Sequence, residues 1–134
     1  MSLSLSLYQR LMGAAHGIAP GLLKRRVQRG KEDAARWREK LGQTDYPRPE
    51  GQLVWFHGVS VGESLSVLPV IVALSVERPD LNILITSATT TSADVLAKRL
   101  PKGAIHQYSP LDTPQAVKGF LDHWRPDLAI FIES

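Results

Sequence analysis

Apolar positions fall into two regimes along the chain. From Ser2 to Leu23, Leu3, Leu7, Leu11, Ala14, Ile18 and Leu22 recur every three or four residues, a spacing that lines one face of a helix. Pro20-Gly21 is expected to interrupt that helix. Lys24 to Gly42 reads as a charged helical connector with Gly42 as its C-cap, and Gln43 to Gln52, holding Pro47, Pro49 and Gly51, reads as a loop. From Leu53 short apolar runs alternate with helical stretches. The pattern predicts strands over 53–57, 81–86, 104–108 and 127–132, and helices over 63–76, 92–100 and 114–124. That order implies an α/β fold, a parallel sheet with helices on both faces, whose ligands bind beyond the carboxyl ends of the strands. The residues after Phe56, Thr86, Tyr108 and Ile132 are therefore the candidates for function.

Composition changes this picture in two places. The 134 residues are enough for one domain of ordinary size, and the absence of cysteine excludes disulfides, thiolate metal sites and cysteine nucleophiles. The net charge of +3 is unevenly spread. Residues 1–42 hold nine Lys/Arg against three acids, whereas the remainder holds seven against ten. The basic character is thus local and calls for an anionic partner near the N-terminus. The first helix makes a poor secretory signal, since no basic residue precedes its apolar stretch, and Arg10 and His16 make it a marginal membrane span. An interfacial helix followed by the basic run Lys24, Arg25, Arg26 and Arg29 fits better, the alternative being that the stripe packs on the domain's own core.

Candidate chemistry sits in the loops. His57-Gly58-Val59-Ser60-Val61-Gly62-Glu63 follows the first strand; Ser60 and Glu63 have the spacing of a capping box, and the same glycine-rich turn is a potential anion site. His57 reads equally as a ligand contact or a satisfied core histidine. The turn matches neither a Walker loop nor a dinucleotide fingerprint. Thr86-Ser87-Ala88-Thr89-Thr90-Thr91-Ser92 places six hydroxyls at the next helix entrance, more than the capping box expected of Thr91 and Asp94 requires. The surplus, Ser87, Thr89 and Thr90 among it, suits a phosphate, carboxylate or sugar. In the third loop Asp112 or Thr113 is the expected N-cap before Pro114. The four histidines share no ligand spacing, so no metal is expected. Glu39 and Glu133 remain for acid-base chemistry; Glu39, flanked by Arg36, Arg38 and Lys40, reads as a solvated ion pair or as a base.

Together Arg36-Trp37-Arg38-Glu39-Lys40-Leu41-Gly42, Val54-Trp55-Phe56-His57-Gly58-Val59-Ser60-Val61-Gly62-Glu63, the hydroxyl loop, His106-Gln107-Tyr108-Ser109-Pro110-Leu111-Asp112 and His123-Trp124-Arg125-Pro126-Asp127 through Glu133 resemble the amino-terminal domain of the 3-deoxy-D-manno-octulosonic acid (Kdo) transferases. The resemblance runs over nearly the whole chain. It implies a Rossmann-like acceptor domain, residues 53–134, in the amino-terminal half of a GT-B glycosyltransferase, preceded by a membrane-associated helix (1–23) and a basic connector and loop (24–52). The implied reaction is inverting, metal-independent transfer of Kdo from CMP-Kdo to a lipid A precursor at the cytoplasmic face of the inner membrane, in lipopolysaccharide core biosynthesis. No cofactor is implied beyond the donor substrate. Glu39 matches the family's proposed base. His57, Ser60, Gly62, Glu63, Ser87, Thr89, Thr90 and Glu133 match segments expected to meet substrate, and Lys24, Arg25, Arg26 and Arg29 suit phosphates or anionic headgroups. The family's donor-binding domain is expected to lie outside this chain, so the 134 residues alone are expected to be inactive. The rival reading is a non-catalytic Rossmann-like module whose basic arm binds acidic membrane or nucleic acid; a single aromatic in that arm, Trp37, argues against nucleic acid.

Overall fold

The computed structural model describes residues 3–133, which form two compact units. One comprises the residues up to Tyr46 together with Pro110–His123, and the other Pro47–Ser109 together with the residues from Trp124 on. The chain order is α1 (Leu3–Gln28), a 3-10 turn (Trp37–Leu41), β1 (Leu53–His57), α2 (Val61–Glu77), β2 (Asn82–Ser87), α3 (Thr90–Arg99), β3 (Ile105–Tyr108), α4 (Pro114–Trp124) and β4 (Leu128–Phe131). The four strands form one parallel sheet in the order β3-β2-β1-β4. β1 and α4 fall on their expected residues, and β2, β3, β4, α2 and α3 within two residues of theirs.

Register explains the unit built around the sheet. Val54 pairs with Ile83 and Phe56 with Ile85, so these side chains share a face, and they pack with Val67, Leu68 and Ile71 of α2 and Leu96 of α3. Burial of these large side chains, at about 1.5–3 kcal/mol each, is the main force holding α2 and α3 on that face. The other face carries Trp55, His57, Leu84, Thr86, Ile105 and Gln107. Arg48 fastens the approach to β1 to the approach to β4: its guanidinium donates to the carbonyls of Trp124 (2.9 Å), Gly51 (2.7 Å), Arg125 (3.3 Å) and Pro49.

The other unit corrects two expectations. α1 does not break at Pro20-Gly21 but runs on to Gln28. An interior proline costs about 3 kcal/mol. Ala19 and Leu23 on either side of it are buried with Trp37 and Leu41, and that packing holds the helix through the missing bond. Residues 24–42 are not one helical connector either. After α1 the chain turns, Asp33 accepts from the N–H groups of Ala35 (2.8 Å) and Arg36 (3.0 Å), and only Trp37–Leu41 is helical, as a 3-10 turn. Gly42 is its C-cap in the left-handed region, as expected. The expected start of the first helix, Ser2, lies outside the described residues.

Three side-chain contacts lace α1 to the 110–123 segment. His16 Nδ1 lies 2.8 Å from the Thr113 hydroxyl, Gln115 donates to the Gly13 carbonyl at 3.2 Å, and Tyr8 donates to Asp112. Thr113 caps α4, accepting from Ala116 N–H at 3.1 Å, which selects it over Asp112. No described helix is long and apolar enough to cross a membrane.

Candidate functional site

Glu39 sits in the middle of the 3-10 turn and is buried, 8% exposed. Arg36, one turn earlier, grips it with two parallel bonds, Nε to Oε2 at 2.7 Å and Nη2 to Oε1 at 2.9 Å. This bidentate fork fixes the plane of the carboxylate as well as its charge. The other flanking cations have further partners of their own. Lys40 pairs with buried Glu32 at 2.7 Å, and Arg26 donates to the same carboxylate at 2.8 Å. The Arg38 guanidinium lies over the Trp37 ring, 4.9 Å from its centroid, and the Lys24 ammonium 5.7 Å from it. Glu39 is therefore a buried, paired carboxylate rather than a solvated one. The second buried carboxylate, Glu32, does not stand out in the sequence; its signal is the spacing of eight residues to Lys40 across a turn, too loose to read without the fold.

Backbone contact holds the turn in place. A Cβ built on Gly42 would stand 2.2 Å from the Ala116 carbonyl oxygen, and one built on Gly119 would stand 2.9 Å from the Gly42 oxygen. Two glycines thus let the end of the 3-10 turn lie directly on α4. The Lys40 carbonyl also accepts from Leu111 N–H at 2.8 Å.

In the sheet-containing unit the loops after β1 and β2 lie side by side, Gly58 N–H donating to the Thr86 carbonyl at 3.1 Å and Ala88 N–H to that of Val59 at 3.4 Å. Ser60 caps α2 and Glu63 completes the capping box. Glu63 Oε1 accepts from the N–H groups of Val59 (3.0 Å) and Ser60 (3.2 Å), so an acid of the chain itself occupies two donors of this turn. Gly62 lies in the first turn of α2 and is exposed.

His57 Nδ1 lies 2.7 Å from the Thr86 hydroxyl, which also accepts from Trp55 Nε1 at 2.9 Å. Burial holds the imidazole below the ordinary histidine value of 6.5, against the opposing pull of the Glu63 charge and the Thr86 backbone. It is therefore neutral at neutral pH.

The hydroxyl loop is mostly committed to the fold. Ser87 bonds His106 Nε2 (2.7 Å) and Ser92 (2.8 Å), Thr86 serves Trp55 and His57, and the capping box of α3 is formed by Thr89 and Ser92. That corrects the expected Thr91 and Asp94 pair: α3 starts two residues earlier, at Thr90, and a serine hydroxyl takes the place of the usual carboxylate at the third position. Thr90 is half-buried, and Glu133 is exposed beyond β4. Arg25 and Arg29 are exposed at the end of α1. Among the described residues no group of three His, Cys, Asp or Glu is placed to hold a metal ion.

A family model described as 3-Deoxy-D-manno-octulosonic-acid transferase (kdotransferase) matches residues 35–134, a span that takes in Glu39, the 57–63 turn and the hydroxyl loop. A protein of Arabidopsis thaliana named probable 3-deoxy-D-manno-octulosonic acid transferase, mitochondrial, is 38% identical over 137 residues, covering all of this chain and 31% of its own length. A 3-deoxy-D-manno-octulosonic acid transferase of Rickettsia bellii is 42% identical over 78% of this chain and 25% of its own length, and one of Haemophilus influenzae 29% identical over 85% and 26%. The chain thus spans between a quarter and a third of these relatives. No solved structure matches it. With a family model covering most of its length and the motif residues built into the geometry above, the chain belongs to the 3-deoxy-D-manno-octulosonic acid transferase family.

Proposed function

We propose that this chain is the acceptor-side, amino-terminal part of an inverting GT-B enzyme that transfers Kdo from CMP-Kdo to a lipid A precursor, with Glu39 as the base and no cofactor beyond the nucleotide-sugar donor. The observation that carries this reading is Glu39 itself, a buried carboxylate oriented by a bidentate arginine in a glycine-closed turn. Glu39 takes the proton of the acceptor hydroxyl while that oxygen bonds to the anomeric carbon and the bond to the CMP phosphate oxygen breaks. A carboxylate does this when the hydroxyl comes within about 2.6–3.2 Å. His57, neutral and bonded through Nδ1, and Thr90, Ser60 and Glu133 at the same end of the strands are the proposed substrate contacts. Because the relatives are about three to four times as long as the matched segment, the activity is proposed for a longer protein and not for these residues alone.

The proposed location is the cytoplasmic face of an inner membrane, reached through α1. Leu7, Leu11, Ile18 and Leu22 are 52–64% exposed, at 100° per residue they share a face with Arg25, and exposed Arg29 follows directly after the helix. An apolar stripe running into cations, on a helix with no acidic residue, suits the boundary between acyl chains and anionic headgroups. Each cation near such a surface contributes about 1 kcal/mol.

The test is Kdo transfer to a tetraacyl lipid A precursor by the full-length protein, with Glu39→Gln alongside. Turnover that falls at least about a hundredfold in Glu39→Gln, with acceptor binding retained, supports the base. Near-normal turnover in that variant removes it, and no transfer by the parent protein removes the donor and acceptor assignment. Sedimentation with anionic but not zwitterionic liposomes, lost in Leu11→Asp/Ile18→Asp, tests the helix; preferential binding to DNA would favour a nucleic-acid module instead.

A further inference from the structure

Two buried carboxylates lie within eight residues of each other in this unit, and their surroundings differ in kind. Glu32 receives two point contacts, from Lys40 and Arg26, that belong to separate elements and tie the end of α1 to the 3-10 turn. Glu39 receives a planar fork from Arg36, three residues away on the same turn, with both oxygens engaged at 2.7 and 2.9 Å. The first arrangement joins parts of the fold. The fork itself links two residues that the turn already holds together, Glu39 N–H donating to the Arg36 carbonyl at 3.0 Å. What the fork adds is orientation.

We propose that Arg36 is the positioning residue of the transfer reaction, acting through Glu39; this rests on Glu39 being the base. A carboxylate has roughly four acceptor sites, and a fork takes one on each oxygen, so Arg36 sets the direction of the carboxylate without using up its capacity. The side chain of Arg36 is one-third exposed whereas that of Glu39 is 9% exposed, so the arginine stands on the outer side of the acid. A lysine at position 36 would supply the charge as a single point contact and leave the carboxylate plane free to rotate. A base displaced by about 1 Å from its productive pose loses on the order of a hundredfold in rate. The role of Arg36 is therefore in turnover and not in acceptor affinity.

The experiment uses the full-length transferase with Arg36→Ala, Arg36→Lys and Glu39→Gln, measuring kcat and KM for the acceptor, with and without guanidinium chloride at sub-denaturing concentration. For Arg36→Ala the expected kcat is about a hundredfold lower with KM within about twofold, and added guanidinium restores at least a tenfold part of the loss through the partly exposed space the side chain leaves. The same additive does nothing for Glu39→Gln. Arg36→Lys, which keeps the charge, is expected to retain a kcat about tenfold below the parent, and it supplies the readout should Arg36→Ala fail to fold. If Glu39→Gln turns over normally, the base assignment fails and takes this proposal with it. If Glu39→Gln is inactive while Arg36→Ala or Arg36→Lys keeps the parent kcat, or while the Arg36→Ala loss appears in KM and is indifferent to guanidinium, the base stands and the positioning role of Arg36 is overturned.

Discussion

Substituting Gly42 by alanine tests how the turn that carries Glu39 is held. Two costs apply. Gly42 has φ 79°, and an L side chain in the left-handed region costs about 1–2 kcal/mol. The new Cβ would also stand 2.2 Å from the Ala116 oxygen and 3.0 Å from Phe120 N, where ordinary contact begins at 3.4 Å. Both obstacles are α4 backbone, which cannot rotate away, so the turn must shift by about 1 Å, with an overpacking cost of about 1–3 kcal/mol. The total is about 2–5 kcal/mol of folding stability. Gly103→Ala isolates the first cost, since Gly103 has φ 92° and nothing within 4 Å of its Cβ position; about 1–2 kcal/mol is expected. Gly119→Ala isolates much of the second: a helical alanine gains about 1 kcal/mol of propensity and loses about 1–3 to the Gly42 oxygen at 2.9 Å. Gly17→Ala and Gly21→Ala, within α1 and unobstructed, are each expected to stabilise by about 1 kcal/mol. Urea titration followed by tryptophan fluorescence and circular dichroism reads all five. A Gly42→Ala loss equal to that of Gly103→Ala would refute the close approach of turn and α4. In the full-length enzyme the same shift moves Glu39, and kcat should fall by about a hundredfold.

Three further outcomes follow from the burial and bonding of single groups. Glu32→Gln removes the ion-pair partner of Lys40 at a site where the two side chains are 3% and 10% exposed, and is expected to cost about 3–5 kcal/mol, much of it recovered by replacing both with methionine; denaturant midpoints decide it. His57 titrates below 6.5 when folded, so the unfolded chain binds more protons between its folded and unfolded values. Its contribution to stability is therefore lost as pH falls through 6.5 towards the folded value, and a stability profile from pH 7 to 5 should flatten in His57→Gln. Ser64 has a buried hydroxyl without a hydrogen bond, so Ser64→Ala should leave the urea midpoint unchanged or raise it, and a loss above about 1 kcal/mol would show a hidden partner.

The elements that could be read from sequence are those whose signal is local. β1 is a run of five apolar or aromatic residues closed by glycine, and α4 is a proline at the first helical position followed by a regular apolar spacing; both lie where the pattern puts them. Pro20 misled because the rule for proline describes an isolated helix, whereas Ala19 and Leu23 bury against Trp37 and Leu41, and no local pattern announces that contact. The cap of α3 misled for a related reason: with six hydroxyls in seven residues several pairs have the right spacing, and Ser92 is chosen by its bond to Ser87, a neighbour set by the turn into the helix.

The same distinction governs the candidate site. Charge alone gives Glu39 three cationic neighbours, Arg36, Arg38 and Lys40. The fold separates them by chemistry. The guanidinium able to make a planar fork is given to Glu39, the ammonium to Glu32, and the second guanidinium to the face of Trp37. A run of alternating charges on a solvated helix would average over such partners and hold none of them. Here the 3-10 geometry brings residues 36 and 39 onto one edge, burial removes the competing water, and Gly42 and Gly119 fix the edge to α4. The motif Arg36 to Gly42 is legible as sequence because its parts act in physically separate ways, as fork, ring, acid, tie to Glu32 and left-handed stop. Replacing the fork by a lysine leaves a turn of equal charge in which the plane of the Glu39 carboxylate has no fixed direction.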